Sequence, residues 1–175
     1  MALTGGCQCG AVRYEMSVEP LAVHVCHCRE CQKQSASAFG ISVQVPRSGF
    51  RVRQGDAKTW PRLADSGRTV DRTSCAGCGS RLWPAGAGPG SGTIGVKGGS
   101  LDRPVDLTSA VHVWTSRELP GVLLPEGGRP VRRGAWLWPG SFTPLRHALA
   151  LARGSRAPVD GPRYWFSVWT CLPTA

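Results

Sequence analysis

The sequence has 175 residues, 18% of them charged, and a formal net charge of +10, which is enough chain for one domain of ordinary size. No stretch approaches about 18 apolar residues and no run of five basic residues occurs, so we expect neither a membrane-spanning helix nor nucleic acid as a partner. The positive charge suits an anionic small substrate or an acidic surface. Residues 1–20 lack a basic start followed by an apolar run, so we expect a cytoplasmic protein.

Alternating apolar residues predict short strands in the first third of the chain. A glycine-flanked loop around Cys7 and Cys9 comes first, where glycine lets the backbone curl. Strands are then predicted over 12–18, 21–25 and 41–45, and another begins at Phe50. A turn or short helix is expected over 30–38. The 23 glycines and 14 prolines favour such short elements separated by turns.

The middle of the chain is more polar and continues in the same style. Residues 55–74 form a polar segment in which Trp60 is the expected apolar anchor. A tight turn follows at Cys75 and Cys78, and residues 84–92 are expected to form a glycine-rich loop or hairpin tip. Further short strands are predicted at 94–96 and 111–113. Short strands at close spacing predict an all-β domain.

The composition of the sequence changes after about residue 133. Residues 134–175 contain four of the seven tryptophans, together with one amphipathic pattern that begins near Thr143 and ends near Gly154. We therefore expect a β domain over 1–133 and a C-terminal extension over 134–175 that contains one short helix.

Three cysteines within six residues are the strongest chemical signal in the sequence. Cys26, Cys28 and Cys31 can converge on one soft metal ion, and zinc is the default candidate. Three protein ligands leave one tetrahedral position free, which is what a catalytic zinc needs. We therefore predict that these three cysteines form the catalytic site.

Two further cysteine pairs, Cys7/Cys9 and Cys75/Cys78, can form a closed four-thiolate zinc site with a structural role. Spacing alone leaves another partition open, in which Cys28/Cys31 joins Cys75/Cys78 as a zinc ribbon. A disulfide framework is disfavoured because paired cysteines in a cytosolic chain more often bind metal. Cys171 has no nearby partner and is treated as a bystander.

The histidines and charged residues near these cysteines have ordinary interpretations as well. His27 can interact with a substrate or a thiolate, or can simply be packed. His112, flanked by valines, is interpreted as a sheet histidine rather than a catalytic base. Glu30 and Lys33 are more often surface charges than site residues.

The motifs taken together resemble a known family. They occur in one order along the chain: Gly5-Gly6-Cys7-x-Cys9-Gly10-x-Val12-Arg13-Tyr14, Cys26-His27-Cys28-x-x-Cys31-Gln32-Lys33, Phe39, Val45-Pro46, Cys75-x-x-Cys78-Gly79-Ser80-x-Leu82, Gly99-Ser100-Leu101-Asp102 and His112-Val113-Trp114. This set resembles the glutathione-dependent formaldehyde-activating enzyme family, which also includes centromere protein V. The resemblance covers about residues 4–133. The chain departs from the family pattern at Ser35 and at Ser74. At the position of Ser74 an aromatic residue is common in the family.

The resemblance implies a β-tent fold of small antiparallel sheets with two zinc ions per chain. It assigns Cys7, Cys9, Cys75 and Cys78 to the structural zinc, and Cys26, Cys28 and Cys31 to the catalytic one. It also implies a carbon–sulfur lyase that acts on a thiol–aldehyde adduct such as S-(hydroxymethyl)glutathione.

A small thiol, with glutathione as the first candidate, is the expected partner. Arg13, Arg29, Lys33 and Arg72 are candidates for a basic rim that holds its carboxylates. The alternative function is a non-enzymatic zinc module that binds an acidic protein or nucleic acid, which the basic charge and the aromatic tail favour.

Overall fold

The structure is a computed structural model that describes residues 2–63, 69–84 and 92–132. Within these ranges the chain forms short strands and one α-helix. In chain order they are β1 (Leu3–Gly6), β2 (Arg13–Met16), β3 (Ala22–Cys26), α1 (Arg29–Ser35), β4 (Gly40–Pro46), β5 (Phe50–Gln54), β6 (Ala57–Leu63), β7 (Thr69–Cys75), β8 (Arg81–Trp83), β9 (Thr93–Lys97), β10 (Val111–Val113) and β11 (Arg129–Val131). Three single-turn 3₁₀ helices, Arg47–Gly49, Gly98–Ser100 and Thr115–Arg117, connect them. The predicted all-β class is confirmed.

The strands form three small sheets. The first sheet has the order β1-β2-β5, the second β11-β10-β3-β4-β9 and the third β6-β7-β8. The second sheet is mixed rather than purely antiparallel, because β10 pairs in parallel with both β3 and β11. Many other elements lie between β3 and β10 in the chain. Two parallel strands need such a long connection, because a short hairpin joins only antiparallel strands.

The alternation that predicts β2, β3 and β4 corresponds to burial of one sheet face. The second sheet presents its valines to the core, and these are almost completely buried: Val23, Val25, Val43, Val45 and Val96. The aromatic rings of Tyr14, Phe50 and Trp83 pack against one another at centroid distances of 4.9–5.7 Å and join the same core. The opposite face of the second sheet is polar. Successive side chains of a strand point to opposite faces, so the alternation in the sequence accounts for both faces.

The prediction for residues 55–74 is wrong in one respect. Trp60 is not an apolar anchor, because 45% of its surface is exposed. It lies on the edge strand β6, on the face opposite to the one where the hydroxyls of Thr59 and Thr73 meet at 2.9 Å. This face is therefore open to solvent at Trp60, although it is buried further along the sheet at Ser74.

Several predictions fall outside the described residues. They are the C-terminal helix, the extension over 134–175 and most of the loop over 84–92. The domain boundary at residue 133 stays a prediction. In the described parts of the chain, no helix is long and apolar enough to cross a membrane.

Candidate metal centres

Four cysteines meet where the first and third sheets approach each other. The sulfur atoms of Cys7, Cys9, Cys75 and Cys78 all lie within 4.8 Å of one another. Cys7 and Cys75 are buried, and Cys9 and Cys78 are exposed. The structure therefore groups these two pairs together, and Cys28/Cys31 does not join Cys75/Cys78 as a ribbon.

Backbone turns aim both pairs at one point. The N–H of Cys7 donates to the carbonyl of Val12 at 3.0 Å, and the N–H of Cys75 donates to the carbonyl of Ser80 at 2.9 Å. Gly10 and Gly79 close the two turns with φ angles of 77° and 74°, a conformation that favours glycine. The two turns are built alike, which explains the glycine after each pair.

Sulfur–sulfur distances in this four-cysteine cluster fit a metal better than a disulfide. Cys7 and Cys9 are 3.4 Å apart, and Cys9 and Cys75 are 3.8 Å apart. A disulfide bond is about 2.05 Å long. Tetrahedral zinc with thiolate bonds of about 2.3 Å separates its sulfurs by about 3.8 Å. The four thiols therefore fit a closed zinc site.

Local hydrogen bonds favour the thiolate form of two cysteines in this four-cysteine cluster. The N–H of Val12 donates to the sulfur of Cys7 at 3.2 Å, which lowers the pKa of Cys7. The hydroxyl of Ser80 lies 3.2 Å from the sulfur of Cys78 and, together with backbone N–H groups, lowers the pKa of Cys78 to about 5. Metals bind the deprotonated form, so these contacts prepare the site for a cation.

The other cluster contains three cysteines and lies at the junction of β3 and α1. Cys26 ends β3, Cys28 caps the N-terminus of α1, and Cys31 lies in its first turn. Their sulfur atoms also lie within 4.8 Å of one another, with 3.4 Å between Cys26 and Cys28. Among the described residues, no fourth histidine, cysteine or carboxylate joins this group.

Charge in the three-cysteine cluster concentrates on Cys28. The thiols of Cys26 and Cys31 stabilise its thiolate and lower the pKa of Cys28, helped by the backbone N–H of Cys31 at 3.4 Å. In contrast, the pKa of Cys26 is raised, first by its contact with Cys28. Three adjacent sulfurs do not all ionise easily, because their negative charges repel one another. A bound cation would offset this repulsion, so the arrangement is typical of a metal site.

A glycine in the sheet makes room for this cluster. A Cβ atom added to buried Gly40 would lie 3.1 Å from Cβ of Cys31. Gly40 pairs with Cys26 in the β3–β4 register, so the cluster rests directly on the backbone of β4.

Distant parts of the chain hold the loop that carries the cluster. The N–H of His27 donates to the carbonyl of Val113 at 3.0 Å. The amide of Gln32 donates to the carbonyls of His27 and Arg117 at 2.7 and 2.9 Å. Strand β10 and the turn that follows it thus fix the positions of the three cysteines.

His27 and His112 form a buried pair next to the loop. Nε2 of His27 lies 3.1 Å from Nδ1 of His112, and the rings stack at 5.3 Å. Burial lowers the pKa of both residues, so the pair is neutral at physiological pH. His112 is the sheet histidine that the sequence predicts, and His27 is packed rather than part of either cysteine cluster.

Of the four residues predicted for the basic rim, Arg72 lies within electrostatic range of Lys97 and Arg81, and the other three have different surroundings. Arg13 pairs with Asp102, Arg29 donates to Gln32 at 2.8 Å, and Lys33 is exposed. Two cations that we did not predict, Lys97 and Arg81, interact electrostatically with Cys31. The signal for Lys97 is its place at the end of the apolar alternation of β9, on the face opposite to Val96.

The described residues form a small all-β fold with two groups of cysteines that can each hold a metal ion. Residues 2–117 match the family described as "Glutathione-dependent formaldehyde-activating enzyme". The chain belongs to this family, and the resemblance noted in the sequence is confirmed.

Individual relatives are more distant. A Penicillium rubens protein named "Putative glutathione-dependent formaldehyde-activating enzyme" is 32% identical over 79 residues, which are 44% of this chain and 40% of that protein. A Sordaria macrospora protein of the same name is 30% identical over 74 residues, 42% of this chain and 30% of that protein. The matches thus span well under half of these curated relatives. A crystal structure of a Rhodobacter sphaeroides protein covers 57% of this chain and 87% of its own, at 22% identity and a TM-score of 0.44.

Proposed function

We propose that this protein is a zinc-dependent carbon–sulfur lyase that joins a small thiol to an aldehyde reversibly, with S-(hydroxymethyl)glutathione or a related conjugate as the adduct. The observation that carries the proposal is the three-cysteine cluster, since Cys26, Cys28 and Cys31 have no fourth protein ligand among the described residues. Family membership and the names of the relatives support the choice of thiol and aldehyde.

The two clusters have different roles in this proposal. Cys7, Cys9, Cys75 and Cys78 would hold a zinc ion with every position filled, which stabilises the junction of the first and third sheets. Cys26, Cys28 and Cys31 would hold a second zinc ion, which supplies a position for a substrate sulfur and favours its thiolate form.

The reaction needs little else from the protein. In the forward direction the sulfur bonds to the aldehyde carbon, and the proton lost by the thiol ends on the aldehyde oxygen. In reverse the carbon–sulfur bond breaks and the proton returns to sulfur. Lowering the pKa of Cys28 keeps that ligand ionised, and the hydrogen bonds from Gln32 keep the loop in one position. The free thiols suit a reducing compartment, which supports the proposed cytoplasmic location.

Exchange spectroscopy on ¹³C-formaldehyde and glutathione tests the proposal directly. We expect the zinc-loaded protein to accelerate exchange between formaldehyde and its adduct, and Cys28→Ser to lose this effect while it remains folded. Cys171→Ser is the matched control, because that cysteine belongs to neither motif, and it should behave as the wild type.

Metal-edge X-ray absorption with and without glutathione completes the test. Average sulfur coordination should rise when glutathione is added. A folded protein with two zinc ions, no catalysis and no change in sulfur coordination would contradict the proposal and favour the zinc-module alternative.

A further inference from the structure

The polar face of the second sheet continues beyond the three cysteines. Cys26 pairs with Gly40, and Ser42 pairs with Lys97 on the next strand. Gly40 and Ser42 are two residues apart, so all four positions lie on the face opposite to the buried valines. Nζ of Lys97 donates to Oγ of Ser42 at 3.0 Å. This hydrogen bond holds the ammonium group on the same face as the cluster.

One face of the third sheet turns toward the same place. Arg72 and Ser74 share one face of β7, because they are two residues apart. Arg81 on β8 pairs with Ser74 beside a register shift, and it lies close enough to Arg72 for the two charges to repel each other. Arg62 lies on this face too, since it pairs with Val70, two residues before Arg72. Its guanidinium forms an ion pair of 2.9 Å with Glu30 of α1, the helix that carries Cys31. The basic face of the third sheet therefore looks onto the cysteine cluster.

Electrostatics agrees with this geometry. Burial lowers the pKa of Lys97 to about 8, repulsion from Arg81 adds to the effect, and ionisation of Cys31 would oppose it. Burial also lowers the pKa of Arg81, with repulsion from Arg72 second. Three partly buried cations thus lie within electrostatic range of one another, and Lys97 and Arg81 lie within range of the cysteine cluster.

None of these cations has a carboxylate counter-ion in the described part of the chain. The ion pairs there involve other arginines, namely Arg13, Arg53 and Arg62. Nε of Arg72 and Oγ of Ser74 are also buried without a hydrogen-bond partner, and Ser74 is only 1% exposed. Buried polar groups without partners are costly, so their presence beside a site indicates that a ligand completes them.

The cluster itself does not balance this charge. A zinc ion with three thiolates carries one negative charge, and a substrate thiolate would add one more. Three cations exceed both, which leaves one positive charge for a further anionic group of the ligand.

We propose that Lys97, Arg81 and Arg72 form a carboxylate subsite beside the three-cysteine cluster, which selects small thiols that carry a carboxylate. The inference rests on the proposed function, because it assumes that the ligand's sulfur occupies the open cluster. The guanidinium groups offer paired N–H donors that match a carboxylate, and Lys97 adds a point charge.

Isothermal titration calorimetry on the zinc-loaded protein tests this subsite. The probes are 3-mercaptopropionate and its uncharged amide, 3-mercaptopropionamide, which have the same length and the same thiol. We expect the wild type to bind the carboxylate at least about tenfold more tightly. Arg81→Gln should remove about tenfold of that preference, as expected for one lost charged hydrogen bond. Arg81→Lys, which keeps the charge, should retain part of it.

The control is Arg51→Gln, because Arg51 is exposed on β5 of the first sheet and should not change the preference. Lys97→Gln provides a second variant, with zinc content and circular dichroism measured on each. If Arg81→Gln lost affinity for both probes equally, the cations would act only on the cysteine cluster. If it lost affinity for neither, the cations would not contact the ligand. Either result overturns the inference.

A third probe separates this inference from the proposed function. The compound 3-(methylthio)propionate keeps the carboxylate but has no thiol to ionise. If neither thiol bound the wild type, the proposed function would fail. Weak binding of the thioether that Arg81→Gln abolishes would still support the subsite, and thioether binding unchanged by that variant would refute it.

Discussion

Gly40→Ala is a small change that tests how the three-cysteine cluster is positioned. The new methyl group would lie 3.1 Å from Cβ of Cys31, closer than an ordinary carbon–carbon contact of 3.5–4.0 Å. The backbone of Gly40 is a regular part of β4 without positive φ, so alanine introduces no conformational strain there. The effect therefore acts through the contact with Cys31.

The size of the effect follows from that distance. Cys31 must move by a few tenths of an ångström, whereas metal–ligand distances tolerate about 0.2 Å. We expect the affinity of this site for cobalt or zinc to fall about 10- to 100-fold, the range seen when supporting contacts of a metal site are altered. The free energy of unfolding of the metal-loaded protein should fall by about 1–3 kcal/mol, as for a crowded core.

Cobalt titration measures this loss, because thiolate-to-cobalt absorption reports each site as it fills. The tighter phase, which belongs to the four-cysteine cluster, should be unchanged, and the weaker phase should shift. Gly99→Ala is the matched control, since a Cβ there would meet no atom within 4 Å. If Gly40→Ala and Gly99→Ala titrated alike, the contact with Cys31 would not position the site.

Three further predictions concern stability. Cys78→Ala should release one metal equivalent and abolish cooperative thermal unfolding, whereas loss of metal from a protein that still melts cooperatively would contradict a structural role. Tyr14→Phe removes a buried hydrogen bond of 2.7 Å to Ser100 and should cost about 1 kcal/mol in urea unfolding at pH 7. Burial raises the pKa of Tyr14 to about 12, above its unfolded value of 10.0. The wild type should therefore lose stability from pH 10 to 12 more steeply than the variant. Equal slopes of unfolding free energy against pH would refute this. Asp102→Asn should cost at most about 1 kcal/mol, because its ion pair with Arg13 is more than a third exposed and screened. That ion pair lowers the pKa of Asp102, so its contribution is present above about pH 4 and should disappear in acid-unfolding curves as the pH falls further, and identical wild-type and variant curves would exclude it.

Local patterns in the sequence predict the strands that have one apolar face. Strands β2, β3 and β4 alternate cleanly because one side of each meets the core. Strands β6 and β7 do not, because charged residues such as Lys58 and Arg72 lie on one face and threonines lie on the other. The hydrophobic pattern of the sequence therefore does not predict the third sheet.

Pairing between distant segments is beyond such patterns. The parallel contact of β10 with β3 depends on how the intervening chain folds, and no residue in either strand encodes it. The same limit applies to the site. Cysteine spacing predicts which sulfurs can meet, but Lys97 and Arg81 reach the three-cysteine cluster only through the sheets.

The hydrogen bonds that fix the loop of the three cysteines have a consequence for synthesis of the chain. Gln32 depends on a carbonyl 85 residues later, at Arg117, and His27 depends on Val113. A ribosome that adds 5–20 residues per second needs roughly 4–17 s to cover that interval. For part of this time Cys26, Cys28 and Cys31 are outside the ribosome without the strand that holds them. The thiols are then open to oxidation and to whichever metal is most abundant, so correct metal loading depends on conditions in the cell before the fold is complete.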